Sequence, residues 1–170
     1  MDLLEFDAKD LYFEHKDAPE VQELIKFASE LYSRGTAELP LLKAYLRAPE
    51  SLNVLVALNR FYYYQHRLSE ALLISEKALV LIRVGIGFPD DWRQLEMHNI
   101  NMAHKDDLCR IRLYLFTLKS IGFLHMRMEN LALSRSIFEK LVSLDEKERI
   151  GAKALLDLVI QRQETGELTS

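Results

Sequence analysis

The sequence predicts an all-α protein, and three observations carry that expectation. The first is the stretch Leu52 to Ile82, LNVLVALNRFYYYQHRLSEALLISEKALVLI, which reads as two apolar helices joined by the short polar turn QHRLSE. A turn of that length permits only an antiparallel hairpin. The second is the presence of six Gly and four Pro in 170 residues, too few breaks for a strand-and-turn architecture. The third is the last helical stretch, about Lys147 to Arg162. It gathers Ile150, Ala154, Leu155, Leu158 and Val159 on one side and Lys153, Asp157, Gln161 and Glu164 on the other. One apolar and one polar face suits a terminal cap with a neighbour on one side only.

Taken in order, residues 1–18 mix acids with Leu3, Leu4, Phe6, Leu11, Tyr12 and Phe13, and read either as a short helix covering the first hairpin or as an N-terminal arm. From Pro19 to Arg34 the apolar residues Val21, Leu24, Ile25, Ala28, Leu31 and Tyr32 recur at helical spacing, and Gly35 ends the run as a C-cap glycine. Pro40 fits only the first turn of a helix over about Leu39 to Arg47, and Ala48-Pro49 then breaks the chain. Residues 19–48 therefore form a first, degenerate hairpin. The second, 52–82, has a first helix apolar on most sides, which implies packing between neighbours. Its second helix spaces the small residues Ala71, Ser75 and Ala78 for close helix approach. Gly85, Gly87 and Pro89 end it and open an insertion over 84–107, where Asp90 or Asp91 can cap a short helix from Trp92. Asp106 or Asp107 can cap a long helix to about Met128, the start of a third hairpin over 108–145. The cap over 147–162 follows.

Leu55, Leu58, Tyr62, Leu68, Ala71, Ala78 and Leu81 resemble the signature of the tetratricopeptide repeat, a two-helix unit with a period of about 34 residues. Leu118, Ile121, Gly122, Leu131, Ser134, Phe138 and Leu141 carry the same signature one period and an insertion of roughly 29 residues later. Three positions depart from it: Asn59 stands where a small residue is usual, Ser75 where a bulky one is, and His125 where an aromatic is. The layout with FPDDW between hairpins bears a slight resemblance to small repeat proteins encoded near bacterial nitrogen-fixation genes. The repeat resemblance implies an α-α superhelix in which the first helix of each hairpin lines a concave groove. By position, that groove would present Asn53, Val56, Arg60, Tyr63 and Tyr64 from one hairpin and Phe116, Lys119, Phe123, Met126 and Arg127 from the other. Aromatic residues, Met and Arg enrich binding surfaces. Val56 and Arg60 break the Lys/Asn set with which the chaperone-binding subclass clamps a terminal carboxylate.

Charge and composition narrow the function. A chain this long suits a single domain. Residues 51–140 hold 12 basic and 9 acidic side chains, whereas residues 1–50 hold 6 and 11. That mild central excess suits an acidic protein partner and is too weak for a nucleic-acid footprint. No apolar run is long enough to span a bilayer, the acidic N-terminus is unlike a secretory signal, and the lone Cys109 excludes an internal disulfide framework. A cytoplasmic location follows. No phosphate-cradling glycine loop, GxSxG or HExxH element is present. Met97, His98, Met102, His104 and Cys109 could offer soft metal ligands, but the six-residue spacing of the histidines does not stack them on one helix face. Trp92 either anchors the insertion or presents an exposed aromatic. The expectation is a non-enzymatic interaction module without cofactor. It binds an acidic, partly apolar protein segment, and the alternatives are a homodimer with a filled groove or a metal-binding helical enzyme.

Overall fold

The computed structural model describes residues 17–102, 107–145 and 148–167, and among these it is all-helical with no strand. The described helices are α1 (Pro19–Leu31), α2 (Glu38–Arg47), α3 (Leu52–Tyr64), α4 (Leu68–Ile86), α5 (Met97–Met102), α6 (Leu108–Arg127), α7 (Leu131–Leu144) and α8 (Lys153–Glu167). They fall into two compact units, residues 17–81 and residues 82–167, with the boundary inside α4. The N-terminal arm lies, except for Asp17 and Ala18, outside the described residues.

In the first unit α1 packs on α2 and α2 on α3. Pro19 opens α1, where a missing N–H costs nothing. After one 3-10 turn, Gly35 closes α1 at φ 68° with its N–H on the Tyr32 carbonyl. Ser51 caps α3 by accepting from the Val54 N–H at 3.3 Å. A polar cluster then ties three helix ends together. Arg67 donates to Glu38 at 2.7 Å and to Glu70 at 2.8 Å, and the Tyr62 hydroxyl donates to Glu38 at 3.2 Å. The Arg67 guanidinium lies 4.6 Å from the centre of the Tyr62 ring.

The second unit packs α6 on α7 and α7 on α8. Gly87, at φ 67°, ends α4 with the Phe88 N–H bonded back to the Arg83 carbonyl, so the helix runs four residues beyond the expected Ile82. Asp91 caps the 3-10 turn at Trp92 through the Arg93 N–H at 2.9 Å, and Phe88 meets Tyr114 edge-on at 5.2 Å. The α6 start differs from expectation: Asp107 makes no side-chain cap bond, and Asp106 lies outside the described residues. The final helix also begins later than expected, at Lys153. The Asp145 carboxylate accepts the N–H groups of Arg149, Ile150 and Gly151, with Glu148 and Gly151 at positive φ, so this segment is a side-chain-stapled loop.

The α3–α4 and α6–α7 turns share three backbone bonds at an offset of 63 residues. In the first, Gln65, His66 and Arg67 donate their N–H groups to Phe61, Tyr63 and Tyr62. In the second, Met128, Glu129 and Asn130 donate theirs to Leu124, Met126 and His125. Each is a Schellman turn with a non-glycine residue in the left-handed region, His66 at φ 57° and Glu129 at φ 61°. Even the accompanying side-chain contact recurs: Arg67 covers Tyr62, and Asn130 approaches His125 Nδ1 at 3.4 Å. The second helices share a buried pattern as well. Ala37, Leu41 and Ala44 on or just before α2, Ala71, Ser75 and Ala78 on α4, and Ser134, Phe138 and Leu141 on α7 follow one spacing, and all nine are buried.

Inside each hairpin one central pair sets the helix approach. The Asn59 amide, buried in α3, donates to the Ala71 carbonyl at 2.8 Å and to Ser75 Oγ at 2.7 Å. At the equivalent place in α6 stands Gly122, where an added Cβ would meet Phe138 Cε1 at 2.8 Å and Ile137 Cγ2 at 2.9 Å. Ser134 Oγ donates to the Gly122 carbonyl at 2.8 Å.

Candidate binding surface

The residues expected to line a groove divide into one set per unit. On α3 they share a face. Val54, Leu55, Leu58, Asn59, Phe61 and Tyr62 are buried, while Asn53 and Tyr64 are exposed and Val56, Arg60 and Tyr63 are half-buried. The split follows the helical period, because positions 53, 56, 60, 63 and 64 fall within one side of a 3.6-residue repeat. Arg60 lies 5.8 Å from the Tyr64 ring centre, and the Tyr63 and Tyr64 rings meet edge-on at 5.4 Å. The side chain of Tyr64 is about half exposed, at 52%. Asn53, at the N-terminal end of the face, donates to Asp17 Oδ2 at 2.8 Å. The face thus offers a cation, two phenol rings and an amide, suited to carboxylates beside apolar groups.

The α6 set is different, and two of its members are buried. Met126 is buried, with its carbonyl facing Arg162 Nη1 at 3.4 Å, and Lys119 is buried with its ammonium donating to the Ile150 carbonyl at 2.6 Å. The loop stapled by Asp145 places the Ile150 carbonyl over Lys119. Phe116 and Phe123 are half-buried and Arg127 is exposed, with the Lys119 ammonium 5.1 Å from the Phe116 ring centre. Sequence reasoning had no signal for this cover, since the Asp145 bonds run through backbone N–H groups that any residue supplies.

Two side-chain groups outside this face are also placed. Cys109 is exposed, Met102 is exposed, and His98 faces Glu96 at 3.1 Å, while His104 lies outside the described residues. Among the described residues, no three His, Cys, Asp or Glu side chains are grouped to hold a metal ion. Trp92 is half-buried with the Arg93 guanidinium 4.4 Å from its ring centre. No helix among the described residues is long and apolar enough to cross a membrane.

Over 161 residues the chain is 38% identical to the "uncharacterized 19.8 kDa protein in nifW 5'region" of Azotobacter chroococcum mcd 1, a match that covers 95% of this chain and 90% of that protein. The chain belongs to that protein's family. No protein-family model matches the chain. No solved structure matches it significantly. At that coverage the match takes in both hairpins and the face of α3.

Proposed function

We propose that the chain is a tetratricopeptide-like helical-repeat protein that binds an acidic, partly apolar protein segment on the exposed face of α3, without catalysing a reaction. The repeat reading is supported by the 34-residue step from Ala37, Leu41 and Ala44 to Ala71, Ser75 and Ala78, all buried, and by the recurrence of the Schellman turn. The observation that carries the binding reading is the face itself. A helix in a two-layer repeat gains most by burying its apolar side chains, yet α3 keeps Tyr64 half exposed beside Arg60. Aromatic and Arg side chains in that arrangement are the usual anchors of protein interfaces. The relative's position in the nifW 5' region suggests the setting in which a partner is sought.

The test is a pulldown from the native host, followed by binding of the recovered partner to Arg60→Glu and to Arg60→Glu with Arg127→Glu. Both variants keep the helical circular-dichroism signal, since exposed charge changes cost little stability. Affinity falls at least tenfold, and added salt weakens the unmutated complex because exposed charges are screened. Undiminished affinity with an intact fold removes the α3 face as the docking site.

A second reading, self-association, is favoured by the outer side of α2. Leu39, Leu42 and Leu46 stand at helical spacing there, and Leu46 is 80% exposed. Sedimentation of the full chain decides it: a homodimer that Leu46→Glu converts to monomer supports this reading, and a monomer at all concentrations rejects it.

A further inference from the structure

The exposed side of α2 has a counterpart on α4, and the two together form one surface. The 34-residue step that relates the buried positions of these helices relates their exposed positions too. Leu39 corresponds to Leu73, 61% and 64% exposed, and Leu46 to Val80, 80% and 50% exposed. Leu42, also exposed, adds a fifth apolar side chain. The Lys77 ammonium lies 5.6 Å from the Tyr45 ring centre, which sets α2 and α4 side by side. The repeat itself does not require apolar residues at these places. On α7, at the 63-residue offset, Ser136 and Ser143 stand for Leu73 and Val80, and their hydroxyls bond to the Ala132 and Lys140 carbonyls of their own helix.

We propose that this surface joins two copies of the chain as a two-fold dimer, with α2 of one copy laid along α4 of the other. The inference rests on the self-association reading above and gives it a second helix and a register. Charge at the edges decides the register. Lys77 reaches α2, so Glu76, on the other flank of the exposed side of α4, marks the edge away from α2. Tyr45 and Leu42 lie on the flank of α2 that faces α4, so Lys43 marks the opposite edge. An exposed cation and an exposed anion thus bound the apolar band. Arg47, the neighbouring cation, is already held by Glu20 at 3.3 Å. A two-fold axis running along the helices, between α2 and α4, brings Lys43 of each copy opposite Glu76 of the other, because such a contact repeats every pair. An axis across the helices lays α2 on α2 and sets Lys43 against Lys43, and like charges so placed are penalised. The band is about 15 Å long and roughly 20 Å wide, on the order of 300 Å². A patch of that size marks a contact, and it falls short of the ~800 Å² per partner of a standard interface, which suits a weak, reversible dimer.

Sedimentation equilibrium of the full chain tests this from about 10 μM to about 1 mM, the range expected of a weak contact. The unmutated chain dimerises. Leu46→Glu and Val80→Glu each abolish the dimer, while the helical circular-dichroism signal stays intact. Lys43→Glu and Glu76→Lys each weaken association about tenfold, because each sets like charges against one another at both edges. Carried together in one chain, the two reversals restore the unmutated affinity, since opposite charges face again. The two readings fail differently. A chain that stays monomeric throughout overturns the surface and the self-association reading together. A dimer lost with Leu46→Glu but indifferent to Val80→Glu and to both charge reversals keeps self-association through α2 and overturns the shared surface and its register.

Discussion

In the α3–α4 hairpin the bulky member of the central pair is Asn59, on the first helix, opposite Ser75. In the α6–α7 hairpin it is Phe138, on the second helix, opposite Gly122. The hydrogen bond across each interface reverses with it. Asn59 donates from the first helix to the Ala71 carbonyl of the second, whereas Ser134 donates from the second to the Gly122 carbonyl of the first. The turns meanwhile share three backbone bonds. One backbone geometry therefore tolerates two interior solutions, provided that bulk and polarity change on both helices together. A close-packed interior leaves no room for half of such an exchange.

The hairpins also differ in what they leave uncovered. The Ile150 carbonyl closes over Lys119 on α6, while the equivalent side of α3 keeps Arg60 half-buried and Tyr64 exposed. The same side of the first helix is thus covered at Lys119 in one hairpin and partly exposed in the other.

The comparison breaks most sharply at Gly122. Gly122→Asn pushes into Phe138 and Ile137 and is expected to lower the unfolding free energy by about 3 kcal/mol, the upper end for overpacking. Adding Phe138→Ser imports the other hairpin's pair and restores part of that loss. Urea denaturation of both variants checks this, and a double variant no more stable than Gly122→Asn disproves the complementarity. Next in size, Ala71→Leu crowds the contact beside Asn59 and costs about 2 kcal/mol. Asn59→Ala costs a similar amount, because Ser75 Oγ loses its buried partner. Unchanged thermal midpoints would mean that the α3–α4 register is held elsewhere.

A smaller difference is expected in alkali. Burial, with the nearby Glu38 carboxylate, raises the pKa of Tyr62, and burial pushes Tyr114 up to about 12. The unfolded chain loses these protons near pH 10 while the folded chain holds them, so stability declines as pH rises above about 10. Since His125 replaces Tyr62 in the second hairpin, Tyr62→Phe removes this sensitivity from the repeated turn of the first alone. Thermal midpoints on either side of pH ~10 measure it. The smallest effect falls on what the hairpins share. His66→Gly and Glu129→Gly each relieve a left-handed residue, and each is expected to stabilise by about 0.5–1 kcal/mol after the entropic cost of glycine. Unequal gains, in calorimetry, would show that the turns differ in strain.

Helical periodicity made the hairpins legible in the sequence, because an apolar residue every three or four positions leaves few other ways to bury a face. Gly35 and Gly87 were legible as stops for the same local reason. Asn59 and Ser75 read as separate departures from a pattern, and only their 2.7 Å contact shows them to be one paired exchange. The burial of Lys119 and the delayed start of α8 depend on where Asp145 pins a distant loop, which no spacing along the chain encodes. On α3 the periodicity reached the site itself, since Asn53, Val56, Arg60, Tyr63 and Tyr64 do share one side.

The central bonds of each hairpin also bear on how the chain folds. Asn59 reaches Ser75 across 16 residues, and Ser134 reaches Gly122 across 12. Closing loops of that size takes on the order of 10–100 ns, and chains dominated by such near-neighbour contacts fold in microseconds to milliseconds. Each hairpin can therefore nucleate as soon as its own forty or so residues leave the ribosome, a matter of seconds at ordinary synthesis rates. The α3–α4 hairpin would be assembled before the sequence of α7 exists.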